Sequence, residues 1–185
     1  TEGEVCMVFV NEAWNQTGDI VVYSNYHKYW LDRERKIKNP LFDVYSGKIL
    51  DLKEGKMSAV QYFYQLLDPE IRRGVTICVV PSSNSEIKES GIGKLGEMLA
   101  GNGRKNKVYF LRRNKSIDKL ATGGNRSMET HMKSISTVLD MDIDNDIVLL
   151  MDDVTTTGNS LYACKEILLQ NGAREVEMFA LGKAI

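Results

Sequence analysis

Two continuous apolar runs constrain the fold of this chain more than any other feature. One is VTICVV at residues 75–80, and the other is IVLLM at residues 147–151. Short, β-branched apolar runs of this kind are typical of strands that are buried on both faces. Each run is followed by a polar turn and then by a segment with helical periodicity, at residues 92–99 and 160–170. The repetition predicts an α/β fold with a mostly parallel central sheet and flanking helices.

The remaining segments are predicted from the same kind of periodicity. Further strands are expected at residues 5–10, 19–23, 107–111 and 176–181, and a further helix is expected to begin at Ser58 as its N-cap. The stretch 112–133 is rich in Gly, Ser, Lys and Arg and predicts a mobile loop. Residues 26–56 mix aromatic, charged and turn-forming residues and receive no assignment. We therefore divide the chain into an N-terminal region of strands, residues 1–57, and a core, residues 58–185.

Residues 91–96, GIGKLG, fit the GxGxxG pattern of dinucleotide-binding loops. A dinucleotide-binding loop follows its strand directly, whereas this pattern begins after an intervening polar stretch. We therefore interpret the glycines as positions where a helix packs tightly.

The charge of the chain is unevenly distributed. There are 24 Lys+Arg and 25 Asp+Glu residues, which gives a formal net charge of −1. A protein that binds polyanions over its whole surface would need a large basic excess, which this chain lacks. No apolar run approaches the roughly 20 residues of a membrane span, so the sequence predicts no such span. Between Arg104 and Lys133, however, nine basic residues stand against two acidic ones, so this basic segment carries +7 and the rest of the chain −8. A charge run of this kind is most often a solvated face.

The cysteines and the first residues indicate a cytoplasmic protein. Cys6, Cys78 and Cys164 are too few and too scattered for a disulfide framework or a zinc cluster, and reduced thiols are the simplest interpretation. The sequence begins TEGEV, with acidic residues where a secretory signal would be basic. We therefore expect no export.

The segment with the clearest chemical signal is residues 147–182. Its strand delivers Asp152 and Asp153 at the carboxyl edge of the sheet, where open α/β sheets bind ligands. A turn of small hydroxyl residues follows and leads into a helix, so backbone N–H groups, hydroxyls and the positive end of a helix dipole meet at one place. That arrangement suits a phosphate group, whereas two adjacent carboxylates suit the vicinal hydroxyls of a ribose. Together they predict a site for a ribose 5-phosphate, while the simplest alternative is a capped turn without a ligand.

The string VLLMDDVTTTGNSL, residues 148–161 of this segment, resembles the 5-phosphoribosyl-1-diphosphate (PRPP) motif of type I phosphoribosyltransferases. The resemblance implies the fold of that family, with a small N-terminal hood. It also implies that Asp152 and Asp153 hold the ribose hydroxyls, act in catalysis and contact a metal indirectly. The 5-phosphate would be bound by Thr155, Thr156, Thr157, Gly158, Asn159 and Ser160.

The resemblance extends to two further segments. The loop PSSN after the first apolar run stands where the family has its pyrophosphate loop, which makes Pro81, Ser82, Ser83 and Asn84 candidates for that role. The stretch 112–133 stands where the family has a flexible lid over PRPP. Its candidate contacts with the pyrophosphate are Arg112, Arg113, Lys115, Lys119 and Arg126. The order of these segments is most similar to the ComF-type branch, whose N-terminal zinc-binding cysteines are missing here.

The family resemblance implies a Mg²⁺-dependent transfer of ribose 5-phosphate from PRPP to a nitrogenous acceptor, with release of diphosphate. Members that act on 6-oxopurines carry an acid at the position of Thr156, so this sequence departs from them. A hood that reads the acceptor would have to come from residues 1–60, whose aromatic residues serve either there or in the core. The expected partners are PRPP, an acceptor and a second copy in a homodimer, with no membrane. Two alternatives stay open: a PRPP- or nucleotide-sensing regulator without turnover, and a ComF-like accessory protein in DNA uptake that contacts nucleic acid through the basic segment.

Overall fold

The two apolar runs of the sequence lie side by side in one sheet. A computed structural model describes residues 7–16, 18–117 and 127–185. In chain order its strands and α-helices are β1 (Ile20–Tyr26), β2 (Trp30–Asp32), β3 (Ile37–Lys38), α1 (Val44–Lys53), α2 (Met57–Leu67), β4 (Thr76–Val79), α3 (Gly91–Ala100), β5 (Lys105–Asn106), β6 (Leu111–Arg113), α4 (Met128–Ser134), β7 (Ile135–Thr137), β8 (Ile147–Thr155), α5 (Asn159–Gln170) and β9 (Glu175–Ala184). Two 3-10 helices span Glu12–Trp14 and Asp68–Glu70.

The central sheet has five strands in the order β1-β9-β8-β4-β5, and all of its pairings are parallel. The strand pairs β2–β3 and β6–β7 form two small antiparallel sheets outside it. The predicted α/β class, with a mostly parallel central sheet and flanking helices, is therefore confirmed.

Two hydrophobic clusters cover the two faces of this sheet and explain why β8 is apolar over residues 147–151. Leu149 and Met151 point into one cluster, which contains buried residues of α1, α2 and α3. Val148 and Leu150 point into the other, which is built largely with α5. A strand between two helical layers must bury alternate residues on both sides, so neither set is free to be polar.

The glycines of residues 91–96 serve packing, as the sequence indicated. A Cβ on Gly91 would collide with the carbonyl oxygen of Leu52 in α1. A Cβ on Gly96 would lie 3.1 Å from the Val79 side chain and 3.2 Å from that of Val108. The glycines thus let α3 approach both α1 and the sheet.

Three local predictions were wrong. Residues 107–111 were expected to form a strand, but β5 ends at Asn106 and β6 begins at Leu111, with a turn between them. The predicted strand at 5–10 is reduced, within its described residues, to an isolated bridge between Phe9 and Ile71. Helix α2 begins at Met57 with Lys56 as its N-cap, and Lys56 makes no side-chain capping bond, so Ser58 lies inside the helix.

The stretch 112–133 contains more regular structure than a loop. Its start belongs to β6 and its end to α4, whose N-cap Ser127 accepts a hydrogen bond from the amide of Thr130. Residues 118–126 lie outside the described residues.

The division of the chain at residue 57 stays a prediction. Of the residues before it, β1 pairs with β9 at the edge of the central sheet, whereas β2 and β3 lie outside this sheet. Within the described ranges, the helices are too short or too polar to cross a membrane.

Candidate functional site

A cleft of about 500 Å³ opens at the carboxyl ends of β4 and β8. The two strands are neighbours, and the amide of Val80 donates to the carbonyl oxygen of Met151 at 2.9 Å, so the turns that follow them begin side by side. These turns line the cleft together with the amino end of α3, the connection between α1 and α2, and the side chains of Arg113 and His131. This edge of a parallel sheet is where α/β proteins bind ligands.

Asp152 and Asp153 lie at the end of β8 and both line the cleft. Asp152 accepts a hydrogen bond from the amide of Asp153 at 2.8 Å through Oδ1, and Ser160 Oγ donates to its Oδ2 at 3.4 Å. Asp153 Oδ1 accepts from the amide of Val154 at 2.6 Å. The two carboxylates are thus oriented by the backbone and by the first turn of α5.

Lys53 forms an ion pair with this acid pair, with its Nζ 3.3 Å from Asp153 Oδ1. Burial raises the pKa of the Asp152 carboxyl well above its usual range, and the neighbouring Asp153 carboxylate raises it further, while Lys53 acts in the opposite direction. Burial lowers the pKa of Lys53, but the two carboxylates outweigh this effect, so the net shift is upward. Sequence analysis missed Lys53 because it lies a hundred residues away and carries no motif.

The turn after β8 is fixed by Gly158, which stands at the N-cap of α5 with a φ of +83°. A Cβ there would lie 2.7 Å from Ile20 Cδ1 and 3.0 Å from Tyr162 Cε2, so both the backbone angle and the space require glycine. The positions of the neighbouring turn residues follow from this backbone conformation of Gly158. Five of its predicted phosphate contacts line the cleft: Thr156, Thr157, Gly158, Asn159 and Ser160.

Thr155 differs from the rest of the predicted phosphate-binding turn. It is the last residue of β8, is buried, and does not line the cleft. Within the described residues its hydroxyl has no hydrogen-bond partner. The structure therefore places Thr155 behind the turn rather than in the cleft.

The predicted pyrophosphate loop lines the same cleft as this turn. Pro81, Ser82 and Ser83 line the cleft, whereas Asn84 is exposed and does not. The side chain of Asn84 accepts from the amide of Glu86 at 3.0 Å, so it stabilises the loop locally. Three of the four predicted residues thus share the cleft with the acid pair.

The amino end of α3 also reaches the cleft, which the sequence did not predict. Ser90 caps the helix and accepts a hydrogen bond from the amide of Gly93 at 3.1 Å. Glu89 and Lys94 line the cleft on either side of this cap. Two helices, α3 and α5, therefore present amino ends, with their positive dipole ends, to one cavity.

The predicted lid residues are dispersed. Arg113 is 5% exposed and belongs to β6, so it is a buried residue at the cleft and not a mobile one. Arg112 lies over the ring of Tyr109, 5.2 Å from its centroid, and Lys115 is exposed; neither lines the cleft. Lys119 and Arg126 lie outside the described residues.

Part of the basic segment forms ion pairs with acidic residues. The guanidinium of Arg104, whose side chain is 2% exposed, donates to Asp68 at 2.7 Å. Further ion pairs join Lys105 to Asp146 at 3.0 Å and Lys133 to Glu129 at 2.6 Å. Two basic residues of the segment, Arg104 and Lys105, are therefore paired with acids outside it, and Lys133 is paired with an acid within it.

The N-terminal aromatic residues do not line the described cleft. Trp14, Tyr23 and Tyr26 pack against the core cluster that faces α1 and α2. Tyr29 makes edge-on contacts with the rings of Trp30 and Phe42. These residues serve in packing, which was one of the two roles the sequence allowed.

Comparisons with known proteins gave structural matches only. No family model matches the chain, and no curated protein matches it. Among solved structures, two crystal forms of a hypoxanthine phosphoribosyltransferase from Staphylococcus aureus are similar, with 14% and 16% identity and TM-scores of 0.38 and 0.40. The first match covers 76% of this chain and 74% of that one, and the second covers 84% and 82%. A purine phosphoribosyltransferase from Pyrococcus horikoshii Ot3 has 15% identity and a TM-score of 0.36, with 87% and 78% covered.

Proposed function

We propose that the cleft binds PRPP together with Mg²⁺ and transfers its phosphoribosyl group to a nitrogenous acceptor, as a phosphoribosyltransferase of type I fold. One observation carries the proposal: the acid pair, the turn 156–160 and the loop 81–83 line a single cleft. A ligand that matches all three needs vicinal hydroxyls between two phosphate groups. PRPP has this arrangement, with its 5-phosphate on one side of the ribose and its diphosphate on the other.

Each part of PRPP has a corresponding part of the cleft. The carboxylates of Asp152 and Asp153 accept hydrogen bonds from the ribose hydroxyls. The turn 156–160 offers hydroxyl and amide donors at the amino end of α5, which favours the 5-phosphate. The loop 81–83 and the amino end of α3 are then left for the diphosphate.

The residues of the cleft fit a magnesium ion that arrives with its ligand. In the described part of the chain no cluster of three or more His, Cys, Asp or Glu side chains could hold a metal by itself. Asp152 and Asp153 supply hard oxygen ligands, directly or through water, and PRPP supplies the others, which suits the oxygen preference of Mg²⁺. When bound, the ion would neutralise charge on the diphosphate. The neutralisation would reduce repulsion between the diphosphate and the four acidic side chains that line the cleft, those of Glu54, Glu89, Asp152 and Asp153.

The chemistry of the transfer requires positioning and electrostatic stabilisation more than a covalent nucleophile. The acid pair holds the ribose so that its anomeric carbon faces the acceptor, and the carboxylates stabilise positive charge that develops on the sugar. Donors from the loop 81–83 and the amino end of α3 stabilise negative charge on the departing diphosphate. Lys53 balances the acid pair while the cleft is empty.

The binding half of the proposal is tested by calorimetry with PRPP and Mg²⁺. Asp153→Asn keeps the oxygen that accepts from the Val154 amide but removes the charge, and we expect it to weaken PRPP binding about tenfold or more. The control is Asp140→Asn, which removes an exposed aspartate outside the cleft and should leave binding unchanged. Absence of PRPP binding, or equal binding by Asp153→Asn, would contradict the assignment.

The transfer half is tested by diphosphate release across a panel of purine and pyrimidine bases. We expect release with at least one base, and loss of that release in Asp153→Asn. Thr156 provides no acid at the position that 6-oxopurine enzymes use, so the panel must extend beyond those bases. Tight PRPP binding without release on any base would instead support a sensor. DNA binding that weakens with salt and survives Asp153→Asn would support the nucleic-acid alternative.

A further inference from the structure

Arg113 connects the predicted pyrophosphate loop to α4. Its Nε donates to the carbonyl oxygen of Ser82 at 3.0 Å, and its Nη2 lies 3.5 Å from the carbonyl oxygen of Pro81. On the other side, Nη1 donates to Ser134 Oγ, and Nη2 lies 3.4 Å from Nδ1 of His131. Ser134 Oγ in turn donates to the carbonyl oxygen of His131 at 3.0 Å, so its position is fixed within α4.

The residues that hold Arg113 are buried. Arg113 is 5% exposed, Ser134 2% and His131 4%. A buried guanidinium that is held by hydrogen bonds on two sides has little freedom to follow a ligand. Its position therefore decides where the two carbonyl groups of the loop point.

The direction of those carbonyls also decides the direction of the loop's amide donors. A trans peptide group is planar, so its N–H points opposite to its C=O. The described residues contain no cis peptide bond. The Pro81 carbonyl belongs to the same peptide group as the Ser82 amide, and the Ser82 carbonyl belongs to the same peptide group as the Ser83 amide. Within the described residues, these two amides donate to no other group. Both residues line the cleft, so their N–H groups are available to an anion.

A second set of contacts joins the same loop to the residues after Arg113. The amide of Ile117 donates to the carbonyl oxygen of Ser83 at 3.1 Å, and the amide of Ser85 donates to Ser116 Oγ at 3.0 Å. The loop is thus attached to residues 113–117 at several points. Arg113 is the contact that also reaches α4.

We propose that Arg113 is a positioning residue that fixes the Ser82 and Ser83 amides in the orientation that binds a diphosphate group, and that it acts through α4 and Ser134. The inference rests on the proposed function, because it assigns the loop 81–83 to the diphosphate. It replaces the role expected from the sequence, in which Arg113 would contact the pyrophosphate from a mobile lid.

The test compares two ligands that occupy different parts of the cleft. Ribose 5-phosphate meets the acid pair and the turn 156–160, whereas inorganic diphosphate with Mg²⁺ meets the loop 81–83. We expect Arg113→Lys to weaken diphosphate binding about tenfold, because an ammonium cannot replace a guanidinium that bonds on two sides. Binding of ribose 5-phosphate should stay within about twofold of the wild-type value.

Ser134→Ala separates positioning from direct contact. Ser134 does not line the cleft and carries no charge, so its side chain can influence diphosphate only through the groups it bonds, which are the Arg113 guanidinium and the backbone of His131. We expect this variant to weaken diphosphate binding in the same direction as Arg113→Lys and to spare ribose 5-phosphate. Ser136→Ala, at an exposed position of the neighbouring strand β7, is the matched control and should change neither affinity.

Four results would overturn the inference. If Ser134→Ala leaves diphosphate affinity unchanged while Arg113→Lys lowers it, Arg113 contacts the ligand directly. If both variants weaken both ligands equally, the effect is a general loss of structure. Wild-type protein that binds ribose 5-phosphate but not diphosphate would refute this inference alone, whereas wild-type protein that binds neither would refute the proposed function as well.

Discussion

Gly158→Ala tests whether the turn after β8 depends on glycine for the two reasons that the structure gives. The first is the backbone, because φ is +83°, in the left-handed region that an alanine adopts at a cost of about 1–2 kcal/mol. The second is space, because the added Cβ would lie 2.7 Å from Ile20 Cδ1 and 3.0 Å from Tyr162 Cε2. Overpacking of this kind costs about 1–3 kcal/mol.

Together the two effects predict a loss of roughly 2–5 kcal/mol in the free energy of unfolding. For a chain of this size, each kcal/mol corresponds to a fall in Tm of about 2–4 °C. The matched control is Gly74→Ala, because Gly74 has a φ of +85° but a Cβ there would meet nothing within 4 Å. That variant should therefore show the backbone cost alone.

Urea unfolding and thermal melts of the two variants measure the difference. The steric part is then isolated by Ile20→Val, which deletes the Cδ1 atom that the new Cβ would meet. In that background Gly158→Ala should cost about 1 kcal/mol less than in the wild type. Calorimetry with ribose 5-phosphate should show weaker binding for Gly158→Ala and unchanged binding for Gly74→Ala, because only the first residue lies in the proposed phosphate-binding turn.

The reasoning is refuted if Gly158→Ala costs no more than Gly74→Ala. It is also refuted in part if Ile20→Val does not reduce the cost, since the contact with that side chain would then carry no weight.

Three further predictions concern the acid pair, the thiols and the packing of α3. Burial and a neighbouring carboxylate raise the folded-state pKa of Asp152, so the folded protein keeps this proton to higher pH and loses stability as pH rises above about 4. Asp152→Asn should therefore raise the free energy of unfolding at pH 7 and make its decline with pH less steep. A variant that urea titrations show to be less stable than the wild type would contradict this prediction. Burial raises the pKa of the Cys78 thiol to about 12 and that of Cys164 well above its usual range. Both thiols should therefore resist iodoacetamide at pH 8 in the folded protein and react with it in concentrated urea. Mass spectrometry of the two cysteine-containing peptides measures the difference. Gly91→Ala places a methyl group against a carbonyl oxygen of α1 and should lower the free energy of unfolding by about 3 kcal/mol or more. At Gly47 a new Cβ would meet only the Phe42 ring at 3.6 Å, so Gly47→Ala should be neutral or stabilising. Thermal melts of both variants measure this difference.

The parts of the site that the sequence predicted are two stretches that are each contiguous in the chain, residues 147–160 and the loop 81–84. A buried strand, two acids, a glycine-containing turn and a helix follow one another within residues 147–170, so local geometry alone brings Asp152 near Ser160. The parallel sheet was predictable for a related reason, because a strand that is apolar on both faces needs helices on both sides. These inferences required no knowledge of which segments pair.

Tertiary structure decided which distant residues complete the cleft. Lys53 reaches Asp153 because α1 packs across the sheet, and Arg113 lies beneath the loop 81–83 because β6 and α4 bury it there. The sequence grouped Arg113 with a basic, mobile stretch, since charge and composition say nothing about burial. Strand order, helix packing and the pairing of charges depend on contacts between residues far apart in the chain, and no local pattern encodes them. The sequence by itself therefore determined the fold class and predicted which contiguous residues form one end of the candidate site, whereas only the tertiary structure decided which charges meet there and which are used to hold the fold together.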